Sequence, residues 1–168
     1  MKMDLYILRH AIAEEHDPAK WPDDSKRPLT AKGAKRMRRA AGGMRALDLV
    51  FDVIYTSPFV RTKQTADIVA EVFSVDKNLR ETETLAVDGN PEELITLINN
   101  MGDEVEHVLL VGHEPYLSDL ISTLLIGNSS LPLTMKKGAL CKLTVDTLAY
   151  GKCATLDWLI PPGISTKI

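Results

Sequence analysis

The most informative stretch of the sequence is His107-Val108-Leu109-Leu110-Val111-Gly112-His113. Its centre is continuously apolar, which is typical of a strand that is buried on both faces of a sheet. Such strands occur in parallel sheets that are covered by helices on both sides. The stretch therefore predicts a strand inside an α/β domain, and it places His113 just beyond the carboxyl end of that strand.

The rest of the chain alternates between strand-like and helix-like patterns. Thr30 is a predicted N-cap, and Ser57 is a second one, with Pro58 at the first helical position. The predicted strands are residues 4–9, 50–55 and 107–111, with a closing hairpin of 139–145 and 152–159, and the predicted helices are 30–47, 57–73, 90–100 and 115–126. This order predicts a three-layer α/β/α sandwich with a mostly parallel central sheet, formed by a single domain over residues 1–168.

Length, composition and charge exclude several classes of protein. The 168 residues are 45% hydrophobic and 26% charged, an ordinary globular balance that excludes disorder. A net charge of −3 gives no overall attraction to nucleic acid or to an anionic membrane. The first apolar stretch, residues 5–8, is too short for a signal peptide, and no stretch approaches the roughly 20 apolar residues of a membrane helix. We therefore expect a cytoplasmic protein.

Cysteine and histidine spacing does not predict a metal site. Cys141 and Cys153 do not form a C-x-x-C motif; a hairpin could make them cross-strand neighbours, but we expect free thiols in a reducing compartment. Pro115 follows His113-Glu114 directly, which is incompatible with an H-E-x-x-H helix. The glycine motifs of P-loop and dinucleotide-binding proteins and the G-x-S-x-G motif of serine hydrolases are also absent from the sequence. No cofactor is expected.

Residues suited to phosphate chemistry follow three of the predicted strands. Arg9 and His10 end the first strand, Ser57 and Arg61 follow the second, and His113 follows the later one. In parallel sheets the ligand site lies beyond the carboxyl ends of the strands, so these side chains should converge. Arginines bind phosphate oxygens in pairs of hydrogen bonds, and histidines serve as nucleophiles or donors. The sequence therefore predicts a phosphoryl-binding site.

The helix predicted after Thr30 has a basic face. Its cations are Lys32, Lys35, Arg36 and Arg39, opposite a face of small and apolar residues. A charged helix face is ordinarily solvated, and the alternative is a docking face for an acidic partner protein.

Several segments together resemble the histidine phosphatase superfamily, also called phosphoglycerate-mutase-like, and in particular its small SixA-type branch of protein-histidine phosphatases. The resemblance runs from about residue 4 to the end of the chain, in the family's order. The matching segments are Leu8-Arg9-His10-Ala11, Arg27-Pro28-Leu29-Thr30-x-x-Gly33, Ser57-Pro58-Phe59-x-Arg61-x-x-Gln64-Thr65-Ala66, Val111-Gly112-His113-Glu114-Pro115-x-Leu117 and Lys137-Gly138-Ala139.

The resemblance implies a role for each residue of the predicted site. His10 would be the nucleophile, and Arg9, Arg61 and His113 would bind the transferring phosphoryl group, with no metal required. The surrounding positive charges should keep His10 unprotonated near neutral pH. The sequence leaves open which ring nitrogen attacks.

Departures from the family pattern bear on the substrate and on the general acid. Ala11 replaces the usual glycine, and Ala13 and His16 replace a threonine and an asparagine that are frequent in mutases and sugar phosphatases. For the general acid we predict Glu83, with Glu81 as the reserve and two solvated loop charges as the alternative.

Two further residues have predicted binding roles. Ser57 is a predicted phosphate ligand. Arg27 is predicted to contact the phosphate or a phosphoprotein, although an arginine in that position ordinarily faces water.

Three functions remain open at this point. The first is a phosphatase that hydrolyses phosphohistidine on a signalling protein, such as a phosphotransfer domain. An imidazole leaves without a strong general acid, and the short chain has no room for a deep metabolite pocket. The second is a phosphomonoesterase for a small phosphate ester, and the third is a non-catalytic phosphate-binding module. The oligomeric state is not predicted.

Overall fold

The structure is a computed structural model that describes residues 2–102 and 104–167. Its strands are β1 (Met3–Arg9), β2 (Val53–Thr56), β3 (Leu79–Glu81), β4 (His107–Gly112), β5 (Leu140–Val145) and β6 (Ala154–Ile160). Its helices are α1 (Ala31–Ala46), α2 (Val60–Phe73), α3 (Pro91–Asn99), α4 (Tyr116–Ile126) and a short α5 (Pro162–Ser165), with 3-10 turns at Asp24–Lys26, Asp76–Asn78 and Glu83–Leu85.

The six strands form one sheet in the order β3-β2-β4-β1-β5-β6. The four strands β1 to β4 run parallel to one another where they pair, and β5 and β6 add an antiparallel hairpin beside β1. Strand β4 lies between β1 and β2, so both of its edges are hydrogen-bonded. The prediction of a mostly parallel sheet closed by a hairpin is confirmed.

Successive residues of β4 face opposite sides of the sheet and are fully buried on both. Val108 and Leu110 belong to one apolar cluster, whereas Leu109 and Val111 belong to the other. Side chains alternate along a strand, so a continuous apolar run requires a cover on each face. Helices α3 and α4 contribute to the first cluster, and α1 and α2 contribute to the second. The predicted three-layer α/β/α sandwich is confirmed.

The helix α1 begins as predicted. The Thr30 hydroxyl accepts a hydrogen bond from the Gly33 amide at 2.9 Å, which satisfies one of the free N–H groups of the first turn. The predicted N-cap at Ser57 is wrong: α2 begins two residues later, with Phe59 at the cap position and no side-chain capping bond. The Ser57 hydroxyl is instead hydrogen-bonded to His113.

Other differences concern short elements and the cysteines. Strand β2 begins at Val53 rather than at residue 50, and β3 and α5 were not predicted, because three or four residues are too few to show a periodic pattern. In the hairpin, Cys141 lies opposite Leu159, so it is not a cross-strand neighbour of Cys153. Both cysteines are free thiols.

Within the described residues, no helix combines the length and the apolar character that crossing a bilayer requires.

Gly33 is required by the close approach of α1 to the segment that follows β1. A Cβ atom at this position would collide with the Ile12 carbonyl oxygen, whereas a Cβ at Gly42 on the same helix would meet nothing. We expect Gly33→Ala to lower the free energy of unfolding by about 1–3 kcal/mol. Gly42→Ala should raise it by roughly 0.5–1 kcal/mol through its higher helix propensity.

Urea unfolding of the two variants tests this contrast directly. Equal effects of the two substitutions would contradict the close approach at Gly33.

Candidate active site

Three parallel strands end at the same edge of the sheet because of their register. Arg9 of β1 pairs with Gly112 of β4, and Thr56 of β2 pairs with Val111. The backbone pairing continues past the strands, since the His10 amide donates to the Gly112 carbonyl and the Ser57 amide donates to the Val111 carbonyl, both at 3.1 Å. This edge therefore brings together the residues that follow the three strands.

A cavity of about 430 Å³ lies beyond this edge. Five of its lining residues were predicted from the sequence, and four more are charged residues that were not. The predicted ones are Arg9, His10, Arg27, Arg61 and His113; the others are Glu14, Glu15, Glu114 and Lys137.

His10 lies at the base of this site, with only 5% of its surface exposed. Its Nδ1 atom is 2.7 Å from the Ala11 carbonyl oxygen. A carbonyl can only accept, so Nδ1 carries the proton and Nε2 is the unprotonated nitrogen of the neutral ring. The geometry thus assigns Nε2 as the nitrogen with a free lone pair.

Burial lowers the pKa of His10 to about 3. Loss of solvation is the largest cause, and the nearby His113, Arg61 and Arg9 lower it further, while the bond to Ala11 opposes the shift. Nearby positive charge was expected to keep His10 neutral, but loss of solvation on burial is the stronger effect. His10 is therefore neutral throughout the physiological pH range.

The second histidine, His113, lies with its ring centroid 5.4 Å from that of His10 and is 1% exposed. Its Nε2 atom is 2.8 Å from the Ser57 hydroxyl, and its Nδ1 atom is buried with no partner among the described residues. Burial lowers the pKa of His113 to about 3, and Arg61 adds to the effect. If the Ser57 hydroxyl donates to Nε2, Nδ1 carries the proton and can donate to a bound oxyanion.

Ser57 itself does not line the cavity and is fully buried. The structure therefore places it against His113 rather than against the space that a phosphate would occupy.

Arg61 is 3% exposed and is held by one acidic residue. Its NH2 group lies 3.0 Å from an Asp24 carboxylate oxygen, and its NH1 group donates to the Asp24 carbonyl at 2.9 Å. The other Asp24 carboxylate oxygen accepts from Arg27 Nε at 2.7 Å and lies 3.1 Å from His16 Nδ1. These cations keep the pKa of Asp24 well below its usual range, and the hydrogen bond from Arg27 is the largest cause.

Arg9 is anchored by a backbone carbonyl group. Its NH1 group donates to the Met135 carbonyl at 2.7 Å, and its Nε atom is buried without a partner among the described residues, as is Arg61 Nε. Buried N–H groups without an acceptor are costly. With His113 Nδ1 protonated, these three nitrogens give the residues around the cavity N–H donors without a partner, which suits the binding of a phosphoryl group.

Two backbone contacts fix the chain near His10. The Gly138 amide, at a φ of +80° that favours glycine, lies 3.1 Å from both the Arg9 and the His10 carbonyl oxygens. The Thr65 hydroxyl accepts from the Ala11 amide at 3.1 Å. Both contacts hold the chain around His10 in place.

The predicted general acids lie away from the cavity. Neither Glu83 nor Glu81 lines it, and Glu83 is exposed at the start of a 3-10 turn. Glu81 forms an ion pair with Lys63 at 2.6 Å. The carboxylates that do line the cavity are those of Glu14, Glu15 and Glu114.

Sequence reasoning missed Asp24, which connects Arg61 and Arg27. It lies in the polar stretch between β1 and α1, where no periodicity marks a functional position. The one available signal was its spacing of three residues from Arg27, which is the spacing of a local ion pair.

Within residues 2–102 and 104–167, no group of three or more histidine, cysteine, aspartate or glutamate side chains is arranged to hold a metal ion. The positive charge of the site comes from Arg9, Arg27, Arg61 and Lys137.

Comparison with known proteins places the chain in a family. The model of the histidine phosphatase superfamily (branch 1) matches residues 5–104. An uncharacterized protein of Picosynechococcus sp. is 32% identical over 142 residues, which cover 84% of each chain. The phosphohistidine phosphatase SixA of Escherichia coli is 26% identical over 161 residues, covering 95% of this chain and 94% of SixA.

A solved structure shares the fold. The protein histidine phosphatase SixA, complexed with tungstate, superposes with a TM-score of 0.82 and 24% identity, covering 96% of this chain and 99% of that one. The matched family segment includes His10, Arg61 and strand β2, and it ends before β4 and His113. The chain therefore belongs to the histidine phosphatase superfamily.

Proposed function

We propose that this protein hydrolyses phosphohistidine on a signalling protein through a covalent phosphohistidine intermediate on His10. The observation that carries the proposal is the hydrogen bond from His10 Nδ1 to the Ala11 carbonyl, which leaves Nε2 unprotonated among the arginines of the cavity. The 26% identity to SixA over nearly the whole chain supports the choice of substrate class.

The first step is attack by the His10 Nε2 lone pair on the phosphorus of the substrate. The new N–P bond forms as the substrate's own N–P bond breaks, and Nδ1 keeps its proton bonded to Ala11. Arg9 and Arg61 stabilise the charge on the phosphoryl oxygens, and His113 donates from Nδ1. Since these groups supply the positive charge, the step requires no metal ion.

The leaving group explains why a carboxylic acid is not needed. A phosphoimidazole that is protonated on its other nitrogen departs as neutral imidazole, whose conjugate acid has a pKa of about 6.5. An alkoxide would need a proton in the transition state. The exposed position of Glu83, outside the cavity, is compatible with the phosphohistidine substrate.

In the second step water attacks the phosphorus of phosphorylated His10. The N–P bond breaks, inorganic phosphate leaves, and His10 returns to its neutral form with Nδ1 protonated. The same arginines stabilise the transition state, because the phosphoryl group occupies the same place in both steps.

Parallel assays of two substrates test the proposal. We expect phosphate release from a histidine-phosphorylated phosphotransfer domain to be much faster than release from an aryl phosphate, with or without EDTA. His10→Ala should lower the rate by about 10³-fold or more, since it removes the nucleophile.

Other outcomes would select the other functions. Equal or faster hydrolysis of the aryl phosphate would favour a phosphomonoesterase. Binding of tungstate without hydrolysis of either substrate would favour a phosphate-binding module.

The neutral state of the two histidines predicts how stability depends on pH. In the unfolded chain a histidine takes up a proton near pH 6.5, whereas folded His10 and His113 do so only near pH 3. Stability should therefore fall as pH falls from 6.5 toward 3, by about 2 kcal/mol for each histidine between pH 6.5 and 5. Asp24, whose pKa is lowered in the folded protein, loses its stabilising contribution only as pH falls below about 4, where an unfolded aspartate takes up a proton, so it does not add to the change between pH 6.5 and 5.

Urea unfolding at pH 7.5 and 5 measures the effect, and His10→Gln should reduce the difference between the two pH values. Histidine ring NMR signals of His10 and His113 should keep their neutral positions down to pH 5. Titration of either signal near pH 6.5 would contradict the buried neutral state.

Replacement of Glu83 tests whether this residue acts as a general acid. Glu83→Gln should change hydrolysis of either substrate by less than about twofold, because Glu83 lies outside the cavity. Loss of a true general acid would lower the rate by roughly 10²–10⁴-fold. Glu114→Gln is the comparison, since Glu114 lines the cavity. A hundredfold loss of ester hydrolysis in Glu83→Gln would show that this residue reaches the site.

A further inference from the structure

The helix α1 has an extreme charge distribution. It holds six of the chain's 20 lysines and arginines and none of its 23 acidic residues, although the chain as a whole is acidic. Lys32 lies in the first turn, where the helix dipole interacts unfavourably with a cation. The helix dipole therefore does not account for a cation at this end of the helix.

Two of the six cations have structural partners. Arg38 forms an ion pair with Glu71 at 2.7 Å, and Arg45 donates to the Val72 carbonyl at 2.9 Å. The remaining four, which we call the basic stripe, form no ion pair within the described part of the chain. They are Lys32, Lys35, Arg36 and Arg39.

The basic stripe occupies one face of the helix. Its residues are spaced at i, i+3, i+4 and i+7, which aligns them along about 10 Å of the helix. Lys32, Lys35 and Arg39 are exposed, whereas Arg36 is half-buried. The stripe is thus long enough to oppose two or three carboxylates on one helix of another protein.

The stripe begins beside the active site. The first turn of α1 packs against the residues after His10, since the Thr30 amide donates to the Ile12 carbonyl at 3.0 Å. Arg36 lines a crevice together with Ala11, Ile12 and Lys137. Because Lys137 also lines the active-site cavity, positive charge continues from the cavity onto α1.

We propose that the basic stripe docks an acidic surface of the protein that carries the phosphohistidine. The inference rests on the proposed function. It assigns a binding surface for the substrate protein that a small phosphate ester would not contact. The partner is a protein with carboxylates beside its phosphohistidine, spaced to face Lys32, Lys35 and Arg39. A long polyanion such as RNA fits less well, because Glu14 and Glu15 also line the cavity.

Charge reversal of the stripe tests the proposal. The variant Lys32→Glu/Lys35→Glu/Arg39→Glu changes only exposed residues, none of which lines the cavity. Its matched control reverses three exposed lysines that lie elsewhere on the surface and outside the cavity: Lys77→Glu, Lys152→Glu and Lys167→Glu. Both variants have the same net charge, so the difference between them reports on position.

The substrates are a histidine-phosphorylated phosphotransfer domain with an acidic patch beside its histidine, and the phosphoramidate ion. Reversal of the stripe should raise KM for the phosphoprotein about tenfold or more and flatten its dependence on salt. Both kcat for the phosphoprotein and kcat/KM for phosphoramidate should stay within twofold of the wild type. The latter result also shows that the variant is folded.

Binding measurements distinguish a failure of the docking proposal from a failure of the proposed function. In a His10→Ala background, the Kd for the phosphoprotein should rise about tenfold on reversal of the stripe but not in the control. An unchanged Kd, or an equal rise in the control, overturns the docking inference whether or not the wild type is a phosphatase. Absence of hydrolysis by the wild type overturns the proposed function instead.

Two further probes test whether the basic stripe binds a different class of molecule. A 20-nucleotide RNA and vesicles containing phosphatidylserine should bind the wild type and the reversed variant equally weakly. Binding of either probe that is lost on reversal, without an effect on the phosphoprotein, would overturn the assignment to an acidic protein.

Discussion

The active site depends on the in-register pairing of three parallel strands. Since β4 is hydrogen-bonded to β1 on one side and to β2 on the other, the residues after all three strands emerge at one edge of the sheet. The pairing of the His10 amide with the Gly112 carbonyl extends this alignment to His10, the proposed nucleophile. A shift of one residue in β1 would point His10 toward the opposite face of the sheet. The arrangement of the residues at this edge is thus a direct result of backbone hydrogen bonding.

A second constraint acts on the charged groups. The site contains several cations close together, and Asp24 balances two of them while it determines where Arg61 and Arg27 lie. His10 and His113, unlike the arginines, are uncharged, because burial lowers the pKa of both rings. The arrangement keeps fixed positive charge on the arginines and reserves a neutral lone pair at His10 Nε2. Nucleophilic attack on a phosphoryl group requires both.

Sequence reasoning found the residues whose positions follow from the sheet. Arg9, His10, Arg61 and His113 follow strands or begin a helix, so the rule that parallel strands end together was sufficient to group them. The role of Ser57 could not be found in this way, since a serine before a proline has the local pattern of an N-cap and only the tertiary structure brings His113 to it. Asp24 begins a three-residue 3-10 turn and the cavity-lining Glu14 lies in irregular chain, so no periodic pattern in the sequence predicts where either side chain points. Glu83 was chosen by its place in the chain order, which does not specify its distance from the cavity.

The division between strand ends and loops has a consequence for how the substrate range of this protein can change. The groups proposed to react with phosphorus follow directly on the sheet, whereas Glu14, Glu15 and Arg27 belong to the segment between β1 and α1. Insertions or replacements in that segment would reshape the entrance without moving His10, since the backbone of His10 is bonded to β4 and to Gly138. Changes in that segment that keep Asp24, and with it the position of Arg61, can therefore alter the choice of substrate while the groups proposed to bind and attack the phosphoryl group stay in place.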